Sequence, residues 1–263
     1  MRDIFPDPSE VLSHADPTRR AQIQMQKPLP KRFYKDVTVV EGEEGHAVHL
    51  DGRAVKTPAK KPLAVPTAAL GELLREEWAA QADVIDPATM PVTRLVNTAI
   101  DGVAADPQAV FEDILRFSAS DMLCYRAEGP ENLVARQSEQ WDPIIDWAAN
   151  ERGARFILIE GIMPQEQPKE AIAALAVTLG KYDTPIELAS LHTVTTLTGS
   201  ALLALAFAEG RITAEEAWTL AHLDEDWTNE HWGIDAEAEH RRAKRHEEMQ
   251  AAVKVFAALK AAA

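Results

Sequence analysis

Between residues 32 and 66 apolar and polar positions alternate with a period of two. Val37 and Val39 fall to one side of an extended chain, and Thr38 and Val40 to the other. A Gly-bearing loop follows over 41–45, and Val48 and Leu50 resume the alternation. Asp51-Gly52 then supplies the two positive-φ positions of a tight hairpin turn. Val55 and Thr57 continue the second arm, and residues 63–65 add a short strand. This pattern predicts a small antiparallel meander, too small to stand without a packing partner.

After Pro66 the period changes to that of a helix. Thr67 is an N-cap candidate ahead of Leu70, Leu73, Leu74 and Trp78. Val92, Leu95, Val96 and Ala99 repeat in the same way behind Pro91, a good first-turn residue. A third helix runs through Val110, Ile114 and Met122. Further helices are predicted over 132–147, 169–179, 187–207, 213–232 and 236–260, while the apolar run 155–159 is a strand or a buried loop. The first thirty residues carry Pro6, Pro8, Pro17, Pro28 and Pro30, which predicts an extended arm with at most one short helix over 18–25. The expected fold class is α+β: an arm over 1–30, a β-rich domain over 31–85 and a larger all-helical domain over 86–263.

Charge narrows the function. Lys and Arg number 27 against 42 Asp and Glu, a net −15 that argues against nucleic acid, whose binding depends on neutralising phosphates. The same balance argues against docking on an anionic membrane. The most apolar stretch, 197–208, is shorter than the roughly 20 residues that span a bilayer, so no membrane insertion is expected. Neither a signal peptide's apolar core nor a basic transit sequence opens the chain, which places the expected protein in the cytoplasm. One cysteine, Cys124, excludes an internal disulfide and reads as a buried structural thiol among Met122, Leu123 and Tyr125.

Candidate chemistry is sparse. Glu237-x-x-His240 has a spacing used in di-iron bundles, but those sites need a second such helix motif, and Glu43-x-x-His46 falls in the hairpin. No phosphate loop or nucleophile elbow is present, so no catalytic residue, metal or cofactor is assigned. The most unusual stretch is 222–233. Thr213 and Glu216 form a capping box ahead of it, and Gly233 is a natural stop. On one continuous helix Leu220, Leu223, Trp227 and His231 make a core stripe, while Trp218, Glu225 and Trp232, spaced by seven, share another face. Two indoles around a carboxylate suit a partner's Arg or Lys. Two alternatives stay open: a structural Glu225 satisfied by a base such as Arg94 or Arg126, and a small-molecule enzyme using Glu225 with His222 or His231 as acid and base.

Several motifs in order also resemble a known family. Lys31-Arg-Phe-Tyr-Lys35, Leu50-Asp-Gly-Arg-x-Val-Lys-Thr-Pro58, Glu77-Trp78, Met90-Pro-x-Thr93, Asn97-Thr98, Asp121-x-Leu-Cys-Tyr-Arg126, Leu223-Asp-Glu-Asp-Trp227 and Trp232-Gly233 are similar to those of the F1-ATPase assembly chaperones that act on the alpha subunit. The resemblance covers about residues 30 to 240. It implies a chaperone that binds unassembled F1 alpha subunit, with a β-rich N-terminal domain and a helical C-terminal one. It also implies that a carboxylate among Asp224, Glu225 and Asp226 matters for function; by heptad position the expected one is Glu225, with Trp218 and Trp232 beside it. A monomer suits a chaperone that must leave when the beta subunit arrives.

Overall fold

The computed structural model describes residues 28–161 and 165–260. Most of the arm expected over 1–30, including its short helix, lies outside the described residues. The class is α+β, as expected, and the chain divides into two compact units: residues 1–105 with 254–263, and residues 106–253.

The first unit holds the sheet. β1 (Val37–Gly42) pairs antiparallel with β2 (Gly45–Leu50), in register Val39 to Val48, and β3 (Arg53–Ala54) and β4 (Ala64–Val65) both pair β2. The turn into β3 is the expected Asp51-Gly52, with φ of 48° and 78°. Asp51 does more than turn: its carboxylate accepts the backbone N–H groups of Lys35 and Asp36 at 3.0 and 2.9 Å.

Helix α1 (Ala68–Ala79) buries Leu70, Leu74 and Trp78, with Thr67 capping it through Leu70 N–H at 3.1 Å. Gly71 makes its close seating on the sheet possible, since a Cβ there would stand 2.9 Å from Val39 Cγ1 and 3.2 Å from His46 Cβ. Tyr34 Oη–H donates to the Trp78 carbonyl at 2.7 Å. Helix α2 (Pro91–Asp101) has no cap of its own, because Met90 offers no acceptor. Glu77 reaches over from α1 instead, accepting Val92 N–H and Thr93 N–H, both at 2.7 Å. A carboxylate at a helix N-terminus meets both orphan donors and the positive end of the dipole. Glu77-Trp78 and Met90-Pro-x-Thr93 therefore act as one structural device.

The second unit is mostly helical. α3 (Pro107–Ala119), α4 (Glu131–Arg152), α5 (Lys169–Leu179), α6 (Pro185–Thr198) and α7 (Ala201–Ala208) surround a core in which 201–206 are buried on every side. β5 (Tyr125–Arg126) and β6 (Ile159–Glu160) form a two-residue parallel pair, so the run 155–159 contributes only its end to a strand. The helix expected over 187–207 is two: Gly199 takes φ 70° and Ser200 caps α7 through Leu203 N–H at 3.0 Å. Fully buried Asp121 fixes that break, accepting Leu202 N–H at 2.9 Å and Leu123 N–H at 3.1 Å. Arg126 completes the motif by donating to the Leu123 carbonyl (2.9 Å) and pairing with Asp142 (2.8 Å). Burial, with the Asp121 charge behind it, pushes the Cys124 thiol up to about 12, leaving an inert structural cysteine.

Among the described residues no helix is long and apolar enough to cross a membrane.

Candidate functional site

Helix α8 (Ala214–Ala221) starts with the expected reciprocal cap: Glu216 N–H donates to Thr213 Oγ1 at 3.1 Å and Thr213 N–H to Glu216 at 2.6 Å. It does not run on to Trp232. At His222 the backbone leaves the helix (φ −110°, ψ 15°), and α9 (Leu223–Trp232) begins at once. The cause is local. His222 Nδ1–H donates to the Trp218 carbonyl at 2.8 Å, with the imidazole 3.9 Å from the indole centre, and His222 N–H turns to the Thr219 carbonyl at 3.2 Å. α9 closes in the same manner: His231 Nδ1–H donates to the Trp227 carbonyl at 2.7 Å and its ring stacks on that indole at 4.0 Å. Histidines that satisfy late carbonyls are natural helix terminators. The sequence carries this signal twice, as Trp-Thr-x-x-His at 218–222 and 227–231, where heptad counting does not register it.

The break changes the meaning of the seven-residue spacing. Trp218 is 7% exposed, Glu225 is half-buried and Trp232 is 72% exposed, so the three do not form one ridge. Asp224, Glu225 and Asp226 instead make up the first turn of α9, where the helix dipole favours negative charge. Their partners differ. Asp224 accepts from Gln137 Nε2 at 2.8 Å. Asp226 takes both arms of Arg242, which stands on α10 (Ala236–Lys260). Glu225 has no hydrogen bond or ion pair among the described residues, and Arg126, which could have enclosed it, is committed to Asp142.

Trp218 and Asp226 do come together in a cleft of about 640 Å³ that also includes Glu230, Ile234, Glu239 and Arg242. Arg136, from α4, closes one side by pairing with Glu230 at 2.8 Å. Arg136 holds the Glu230 carboxyl below the usual range, and Asp226 raises the Arg242 guanidinium. His246 approaches Trp218 at 4.9 Å between ring centres. Burial lowers the His222 imidazole, outweighing the Trp218 carbonyl that favours its charged form. Glu225, His222 and His231 do not line the cleft, and both imidazoles commit Nδ1 to a tryptophan carbonyl, so the expected pairing of Glu225 with His222 or His231 is not assembled there. Glu237 pairs with Arg241 at 2.6 Å. Arg136, Glu230, Ile234, Glu239 and Arg242 are cleft residues that sequence reasoning missed; the fold gathers them from separate elements.

The family model of the ATP12 chaperone protein matches residues 31–149. The crystal structure of Atp12 from Paracoccus denitrificans is 41% identical, with a TM-score of 0.82, over 87% of this chain and 98% of that one. The chain belongs to the Atp12 family of ATP synthase assembly chaperones. Two further relatives span a wide range of identity. The Atu1473 protein of Agrobacterium tumefaciens is 67% identical at a TM-score of 0.87, over 98% of this chain and 97% of that one. Protein atp12, mitochondrial, of Schizosaccharomyces pombe is 23% identical over 227 residues, 81% of this chain and 77% of the yeast protein. Within the stretch matched by the Atp12 family model, Glu77 and Asp121 serve the scaffold by capping helices and turns. The acidic turn lies beyond its last residue, and of the cleft residues named above only Arg136 falls within it.

Proposed function

We propose that this Atp12-family protein binds the unassembled F1-ATPase alpha subunit and covers the face that later meets the beta subunit, without catalysing a reaction. Trp232 and Ile234 carry the reading: two large apolar side chains, 72% and 68% exposed, flank Gly233 at the end of the acidic helix α9. An isolated alpha subunit exposes the surface reserved for its neighbour, and such a surface aggregates unless covered. A holdase answers it with apolar anchors and a charge pattern that selects one client. In this reading Trp232 is the direct anchor, Asp224 and Glu225 present charge, and Trp218 and Asp226 build the adjoining cleft. The protein acts as a cytoplasmic monomer that departs when the beta subunit docks.

The test is light scattering of purified alpha subunit diluted from denaturant, with and without the protein. Suppression for alpha, with none for the beta subunit or an unrelated aggregating protein, is the expected result. Equal suppression of all three, or of none, would refute client selection.

A further inference from the structure

We propose that the cleft beside the acidic turn seats one client segment of defined chemistry: an arginine or lysine with apolar residues next to it. The inference rests on the chaperone reading of the same surface and adds what that surface selects. Charge decides the sign. Both cleft arginines are matched, Arg136 with Glu230 and Arg242 with Asp226. Among the described residues Glu239, in the cleft, and Asp224 and Glu225, outside it on the first turn of α9, make no ion pair of their own. An incoming anion therefore finds each arginine engaged, whereas an incoming cation finds Glu239 in the cleft, and two more carboxylates on the turn beside it, outside any ion pair.

Shape and apolar area supply the rest. A volume of about 640 Å³ holds a few side chains rather than a folded element. Trp218 gives the cleft a floor but little free aromatic face, because His222 and His246 stand 3.9 and 4.9 Å from its ring. The cation is held by carboxylates rather than over an indole. Apolar neighbours of that cation meet Ile234, which lines the cleft, and Trp232, which meets Trp227 edge-on at 5.3 Å and the His231 ring at 5.8 Å and is largely exposed.

The experiment uses the full chain and three short synthetic peptides, identical except for a central Arg, Gln or Glu flanked by leucines. Binding is read by fluorescence anisotropy at low and high salt, with far-UV CD as the folding check on each variant. The Arg peptide should bind about tenfold more tightly than the Gln peptide, about 1.4 kcal/mol, and the Glu peptide least. Glu239→Lys and Glu225→Gln should each shrink the preference for Arg, as should high salt, while Ile234→Ser should weaken all three peptides alike. Equal binding of the three peptides, no binding by any of them, or folded variants that bind like wild type would overturn the inference.

A parallel scattering assay with alpha subunit separates the two levels. Protection of alpha without any Arg preference removes the cleft chemistry and leaves the chaperone reading. An Arg preference without protection of alpha does the reverse.

Discussion

Asp121→Asn sets two effects of known sign against each other in the core of the helical unit. The carboxylate is fully buried and accepts Leu123 N–H and Leu202 N–H on its two oxygens, at 3.1 and 2.9 Å. Burial dominates its titration, pushing the acid from 3.8 up to about 6 despite those donors. A raised acid favours the folded state when protonated: its contribution is present at low pH and is lost as pH rises from the unfolded value through about 6. At about 1.4 kcal/mol per pH unit, that loss amounts to about 3 kcal/mol by neutral pH. Asparagine keeps one acceptor and turns an NH2 toward the other donor, costing about 1–3 kcal/mol at every pH. The variant should therefore be clearly less stable than wild type near pH 4.5 and close to it, or slightly more stable, near pH 7.5. Urea unfolding followed by tryptophan fluorescence at stepped pH measures the difference directly. A gap that stays constant, or widens toward neutral pH, would show that the two N–H bonds outweigh burial and would refute the reasoning.

Single substitutions elsewhere have equally definite outcomes. Glu77→Ala removes the acceptor for two donors in the first turn of α2 and should cost about 2–4 kcal/mol, read as a lowered melting temperature; Glu77→Gln should fall between, and an unchanged melt would contradict the cap. Trp78→Arg places a cation at a fully buried position on α1, a loss of about 4 kcal/mol or more that should appear as insoluble protein; soluble material melting like wild type would disprove the burial. Glu225→Lys, at a half-buried position without an ion pair, should keep the far-UV CD spectrum and the melting temperature while capturing less alpha subunit in a pull-down. A folded variant that captures alpha normally would take Glu225 out of the proposed site.

Interactions between near neighbours are legible in the chain itself. Asp51-Gly52 specifies its turn because both positions need positive φ, and Thr67 and Thr213 cap helices whose first turns lie within three residues of them. The acidic turn and the tryptophans around it stand out as residue types, and the fold class follows from the change of period at Pro66. The two helix breaks are harder to read. Gly199-Ser200 is a readable stop, yet the apolar pattern continues through it, and the residue that anchors the break, Asp121, is 81 positions from Leu202. At His222 the repeated Trp-Thr-x-x-His looks like ordinary helix until a side chain is seen to take the carbonyl.

The sequence by itself settled the alternation, the turns, the caps and the acidic balance, since each depends on residues close enough along the chain to interact in any compact state. Tertiary structure alone decided that Glu77 would cap another helix, that Trp218 and Glu225 would separate, and that Arg136 would meet Glu230 from 94 positions away to wall a cleft. Those outcomes depend on side chains brought together only by packing, and their energies exist only once the core has formed.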